Sequence, residues 1–283
     1  MPTSTPGCPR DRGEPVTDGG KRNVLGVLVD VVDYAAATER IVAAAREHRP
    51  MAVTALAVHG VMTGVGDRAL GARLNSFDLV TPDGQPVRWA LNLLHGAALA
   101  DRVYGPTLTL RVLERCAAEG LPVYLYGSTE ATLGRLVANV QEMFPALKIA
   151  GSEASQFRAA GAGEDAQIAA RIRGSGARLV LVGLGCPRQE VFAYAIRPLL
   201  DLPLLAVGAA FDYHAGLLRK PPAWMQRYGL EWLWRLGLEP TRLWRRYLLL
   251  NPAYLARLGA QKARLWSATP PAPATDRPET FPV

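Results

Sequence analysis

Cysteine is scarce in this chain: Cys8, Cys116 and Cys186 are spread over 283 residues with no CxxC pair. An odd, scattered set excludes a disulfide framework and a zinc site built on cysteine. Histidine is as sparse, and His48, His59, His95 and His214 show no metal-ligand spacing. No apolar run approaches the roughly 20 residues that span a bilayer. The first twenty-odd residues are rich in Pro, Gly, Thr and charge and lack an apolar centre, so they do not read as a secretory signal; cytoplasmic residence is the default expectation. There is no GxxxxGK[ST] loop, and the dinucleotide pattern GxGxxG fails because Arg188 stands where its last glycine would be. No Asp-x-Asp occurs either, which removes the usual metal clamp for a sugar nucleotide.

What the chain does have is charge in one place. The net charge is +7. Residues 1–218 hold 21 basic and 21 acidic side chains, whereas residues 219–265 hold ten basic ones against Glu231 and Glu239. The same segment carries Trp224, Trp232, Trp234 and Trp244, with Trp266 just beyond it, five of the six tryptophans. Such asymmetry points to an anionic partner: nucleic acid, a lipid surface or phosphates.

Before that segment, apolar runs alternate with helical patterns. Strands are expected at 23–31, 51–58, 77–84, 122–127, 147–151, 177–185 and 203–212, and helices at 34–48, 85–94, 106–120, 129–144, 164–176 and 187–200. The alternation predicts an α/β fold with a mostly parallel sheet covered by helices on both faces. From Pro221 onward the strands stop, and two or three helical segments punctuated by Pro240 and Pro252 form an appendage. The expected layout is a disordered tail at 1–22, a core at 23–219, the basic Trp-rich appendage at 220–266 and a disordered, Pro-rich tail at 267–283.

Ligands of open parallel sheets bind beyond the carboxyl ends of the strands. Four strand ends stand out. In VGLGCPRQE, Gly183 and Gly185 form a turn before a helix, with Gln189 and Glu190 in its first turn; free N–H groups and the helix dipole suit a phosphate, although such turns also serve plain chain reversal. In TPDGQ, Asp83 is either a turn residue or a carboxylate over the ligand edge that takes a proton from a hydroxyl. In YGSTE, Gly127, Ser128 and Thr129 form a second strand-to-helix junction, where a cap is expected and a diphosphate contact is open. In VGAAFDYHAG, Asp212 and His214 follow the last strand, and structural hydrogen bonds are the ordinary role of each. Without metal ligands, arginines and helix N-termini would have to stabilise a departing diphosphate. In the appendage, Arg242, Arg245 and Arg246 share a helix face beside Trp244 and Tyr247. That mixture suits a lipid headgroup zone or a diphosphate better than a phosphate-tracking nucleic-acid surface. It also suits a subunit interface, so a homo-oligomer is a second use.

The strings TPDGQPVRWA, RVYGPTL, VGLGCPRQE, VGAAFDYHAG and GLEWLWRLGLEPTRLWRRY occur in this order. With them the chain resembles the WecG/TagA/CpsF glycosyltransferases, family 26, from about residue 24 to 256. The resemblance implies a Rossmann-like core and an inverting, metal-independent transfer of a hexose-type sugar (N-acetylmannosamine, glucose or related) from a UDP-sugar to a polyprenyl-diphosphate-linked saccharide. The work would take place on the anionic inner leaflet by a peripheral protein, with no nucleic acid involved. It implies Asp83 as general base, Thr54 and Arg102 near it, Gln189 as the polar residue of GxPxQE, and Arg235, Arg242 and Arg245 at the diphosphate. One departure stands out: the family's TxN is Thr54-Ala55-Leu56 here, so an asparagine contact to the donor is absent. A non-catalytic sugar-nucleotide or lipid-head binding protein at the membrane is the alternative reading of the same residues.

Overall fold

The computed structural model describes residues 16–156 and 163–274; residues 1–15, 157–162 and 275–283, and the side chains of Ala223, Arg242 and Arg246, lie outside the described residues. Two strands, β1 (Asp18–Val24) and β2 (Val27–Val32), form a separate antiparallel hairpin. This corrects the single strand expected at 23–31. The chain reverses at Leu25 and Gly26, both at positive φ (56° and 95°), the geometry whose twist matches a two-residue hairpin. It also moves the start of ordered structure into the stretch 1–22, since Asp18 already pairs with Val32.

The main sheet has six strands: β3 (Met51–Leu56), β4 (Leu79–Pro82), β5 (Val123–Gly127), β6 (Ile149–Glu153), β7 (Leu179–Gly183) and β8 (Pro203–Ala206). Their order is β4-β3-β8-β7-β5-β6, and every pairing is parallel. Ala52, Leu56, Val180, Val182 and Leu204 enter one hydrophobic core, while Met51, Val53, Leu179, Leu181 and Leu205 enter the other. Period-two alternation between two apolar layers is why these strands read as unbroken apolar runs.

Two helices, Val58–Gly66 and Arg68–Asn75, fill the stretch that carried no assignment. Glycine-rich VHGVMTGVG has weak helix propensity. Its glycines serve packing instead: a Cβ on Gly71 would stand 2.7 Å from the Gly64 carbonyl oxygen. Asp67 caps the second helix, its Oδ1 accepting from the Ala69 and Leu70 N–H groups at 2.9 and 3.1 Å. The last strand stops at Ala206, short of the expected 212, because the chain turns at Gly208 and becomes helical over Ala209–His214.

Three helices follow: Ala223–Arg227, Glu231–Leu238 and Pro240–Lys262. Pro240 opens the last one, but Pro252, expected to punctuate, lies inside it. Tertiary anchors hold that helix beyond the proline. Tyr254 and Leu258 are buried in the main core, and the Tyr254 hydroxyl donates to the Pro86 carbonyl at 3.1 Å. Gln261 Oε1 accepts from the Leu25 N–H at 3.0 Å, and Lys262 Nζ donates to the Leu93 carbonyl at 2.7 Å. The chain then returns over the hairpin and the helix Arg68–Asn75. Asn23 Nδ2 donates to the Ala268 carbonyl (2.6 Å), Asn75 Nδ2 to that of Pro271 (3.0 Å), and the Ala274 N–H to that of Ala72 (3.1 Å). Residues 267–274 are therefore an extended strap, not the disordered tail expected from their prolines. A Pro-rich stretch has few N–H donors to satisfy, and side-chain amides of the core supply its carbonyls.

Candidate active site

The carboxyl ends of β3, β4, β5, β7 and β8 open into one cavity of about 750 Å³. Gly229, Glu231, Trp232, Arg235, Tyr247 and Asn251 of the C-terminal segment close its other side. The basic, tryptophan-bearing helices thus cover the crevice of the sheet.

Asp83 sits directly after β4 on the cavity wall. Its Oδ1 accepts the Gly105 N–H at 2.6 Å. Gly105 begins the helix Gly105–Glu119, so the carboxylate meets the positive end of a helix dipole. Removal from water pushes the Asp83 pKa up to about 6; Arg102, the Gly105 N–H and Arg235 pull against that shift, and Glu231 adds to it. A carboxyl poised there is ionised at neutral pH and still basic enough to accept a proton.

Arg102 is buried, with 5% of its surface exposed, and its guanidinium lies 4.3 Å from the centre of the Tyr104 ring. Both of its terminal nitrogens donate to the two carboxylate oxygens of Glu231, a bidentate pair that joins the core to the C-terminal helices. Arg235 reaches the same cavity from the helix Glu231–Leu238. Its terminal nitrogen is 3.8 Å from Glu239, and its buried Nε has no hydrogen-bond partner. A loosely paired guanidinium facing a cavity can hold an anion.

The two glycine junctions meet across β5 and β7. The Ser128 N–H donates to the Gly183 carbonyl at 3.0 Å. Gly127 has φ +112°, and a Cβ there would stand 2.8 Å from the Gly183 backbone, so only glycine fits. Ser128 itself holds a left-handed conformation, φ 57°, and lines the cavity. Thr129 caps the next helix, accepting the Thr132 N–H at 3.2 Å, as a cap reading of YGSTE requires. Gly183 and Gly185 also line the cavity.

Gln189 lines the cavity, as expected of a site residue, but its amide is engaged within the protein. It is 4% exposed, its Oε1 accepts the Gly185 N–H at 3.2 Å, and its Nε2 donates to Glu190 Oε1 at 2.9 Å. Gln189 therefore braces the glycine turn. Thr54 is fully buried in β3 and does not reach the cavity wall; its hydroxyl donates to Glu190 Oε1 at 2.8 Å. A place for Thr54 among the reacting groups is corrected to one behind them, where it holds Glu190. The Glu190 carboxyl, buried in the protein, has a pKa raised by loss of solvent.

Asp212 lies on the cavity wall. His214 is buried with Nε2 2.8 Å from the Pro106 carbonyl oxygen, and desolvation lowers its pKa to about 4, so it is a neutral donor in a structural hydrogen bond. Arg245, expected at the diphosphate, points elsewhere: it is exposed, 5.3 Å from the Trp244 ring centre, and does not line the cavity. The side chain of Arg242 lies outside the described residues. Among the described residues, no three His, Cys, Asp or Glu side chains form a group that could hold a metal ion, and no helix is long and apolar enough to cross a membrane.

Glu231 and Tyr104 on the wall carried no expected role, and Trp232 and Tyr247, read with the aromatics of a headgroup zone, line the cavity. A signal for Glu231 existed, since it opens the EWLWRL string and is one of two acids in a strongly basic segment.

Comparison with known proteins follows the same lines. The model of the glycosyl transferase WecG/TagA/CpsF family matches residues 22–268. The N-acetylglucosaminyldiphosphoundecaprenol N-acetyl-beta-D-mannosaminyltransferase of Bacillus spizizenii is 30% identical over 193 residues, 68% of this chain and 72% of that protein. The chain belongs to the WecG/TagA/CpsF family and is a glycosyltransferase.

Proposed function

We propose that this enzyme transfers a sugar from a UDP-sugar to a saccharide linked to a polyprenyl diphosphate, with inversion, at the inner face of the cell membrane in cell-surface polysaccharide synthesis. The observation that carries the reading is Asp83, a half-buried carboxyl with its pKa raised to about 6, facing a cavity shared by two glycine turns and Arg235. The acceptor hydroxyl gives its proton to Asp83 while its oxygen bonds to the anomeric carbon. The bond from that carbon to the UDP oxygen breaks on the opposite face, and UDP leaves with the electron pair. Arg235 and the N-terminal ends of the helices Glu130–Met143 and Arg188–Ile196, which follow β5 and β7, take up the charge on the diphosphate, and no metal is required. The donor is a hexose or N-acetylhexosamine; the name of the Bacillus spizizenii relative favours N-acetylmannosamine as sugar and a lipid-diphosphate N-acetylglucosamine as acceptor.

Membrane attachment is assigned to the C-terminal helices. Trp224, Tyr228, Leu233, Leu238, Trp244, Leu248, Leu249 and Leu255 are all exposed there, alongside Arg245. Aromatic, leucine and arginine side chains together suit the headgroup zone of an anionic leaflet. The test is UDP release from a panel of UDP-sugars, with and without a polyprenyl-diphosphate N-acetylglucosamine acceptor. Acceptor-dependent release supports the reading; no acceptor-dependent release with any donor overturns it.

A further inference from the structure

Two observations concern a residue outside the glycine turns and outside the arginine set. First, Glu231 is the first residue of the helix Glu231–Leu238, and both its oxygens are held by Arg102 of the core. The side chains are 6% and 14% exposed, so the pair is largely sheltered from water. Second, Glu231 lines the same cavity as Asp83. A bidentate pair between a loop of the core and the first turn of a roofing helix fixes the position of that helix. It also neutralises the arginine that stands closest in effect to Asp83.

We propose that Glu231 is a positioning residue: by clamping Arg102 it seats the C-terminal helices over the crevice and sets the charge that Asp83 feels. Without Glu231, the buried guanidinium is left unpaired beside a carboxylate. The charge of Arg102 is then no longer opposed at Asp83 by the negative charge of Glu231, which favours ionised Asp83 and makes it a weaker base. Arg235 and the Gly105 N–H also face Asp83 and remain in place. So do the other ionisable groups of the cavity wall, His59, Tyr104, Cys186, Arg188, Asp212, Tyr213 and Tyr247, which one neutral substitution leaves chemically unchanged. The electrostatic half of this inference rests on Asp83 as the base; the clamp itself does not.

Two measurements on Glu231→Gln and Glu231→Asp separate these halves. In hydrogen exchange of the full-length protein, Glu231→Gln should speed exchange over 229–247 by about 10²-fold and leave the helix Gly105–Glu119 as it was. In the pH profile of kcat/KM, Glu231→Gln should lower the plateau roughly 10²-fold and move the acid limb down by about one unit. Glu231→Asp keeps the charge and should hold the limb near its wild-type position while recovering only part of the plateau. Unchanged exchange over 229–247 in Glu231→Gln overturns the clamp. A lower plateau with an unmoved limb overturns the electrostatic role. If no donor supports turnover, the proposed reaction fails, and the exchange result still decides the clamp.

Discussion

The strand ends that floor the cavity and the helices that roof it face the same space from different surroundings. On the floor, Val53, Thr54, Val182 and Ala206 are entirely buried, and Gly127 is pressed against the backbone of Gly183. On the roof, Trp232 and Arg235 are only half-buried, and Trp244, Leu248 and Leu249 are exposed. The floor holds its groups by packing between two cores. The roof is anchored by Glu231 on Arg102, by the buried Leu243 and by Tyr254 and Leu258, with an outer face of aromatic, leucine and arginine side chains. Chemistry that needs fixed geometry suits the floor, and contact with the proposed lipid-linked acceptor suits the roof.

The sharpest way to break this contrast is at Asp83. Asp83→Asn should cut turnover roughly 10²–10⁴-fold in the UDP-release assay. Its melting temperature should be unchanged or higher. The folded state holds the proton more tightly than the unfolded one, raising the pKa from 3.8 to about 6, so this group's contribution to stability declines as pH rises through that window and is unfavourable at pH 7–8. Wild-type activity should likewise fall as pH drops below about 6. A large loss of melting temperature in Asp83→Asn would make the residue a turn former and return the site to open question.

The roof is tested by its outer face. Replacing Trp244, Leu248 and Leu249 together by Ser should weaken co-sedimentation with anionic phospholipid vesicles about 10²–10³-fold, since the exposed half of each large apolar side chain contributes roughly 0.8–1.5 kcal/mol when buried. Transfer to a short-chain, water-soluble acceptor should persist. Equal sedimentation of the variant would overturn the membrane contact proposed for the roof. On the floor, Gly127→Ala should destabilise the fold by about 2–3 kcal/mol in urea unfolding, because its φ and its contact with Gly183 both exclude a Cβ. The smallest effect is expected at the roof's anchor. Tyr254→Phe removes one hydrogen bond to Pro86 and should cost about 1 kcal/mol by the same measurement, with catalysis unaffected.

Much of the floor was legible in the sequence. Apolar runs ending in Gly183 and Gly127 announce buried parallel strands and tight exits, and the Pro-Asp-Gly bend marks a carboxylate at a strand end. The helix Val58–Gly66 was not legible, because glycines chosen for helix contact erase its propensity. Nor was the fate of the prolines: Pro252 lies within a helix that Tyr254 and Leu258 hold in place, and Pro271 lies in a strap held by Asn75. Charge counting located the basic segment but could not sort its arginines, of which Arg235 faces the cavity and Arg245 faces solvent.

By itself, then, the sequence determined the α/β alternation, the glycine-marked strand ends, the carboxylate at Asp83 and the concentration of positive charge after residue 218. These follow from local rules, in which periodicity, turn chemistry and charge are read over a few neighbouring residues. Only the tertiary structure decided that Glu231 meets Arg102, that Thr54 and Gln189 serve Glu190, and that the C-terminal helices close over the sheet. Those contacts join residues up to 136 positions apart, and which polar groups meet there is set by how the two cores pack and not by any pattern along the chain.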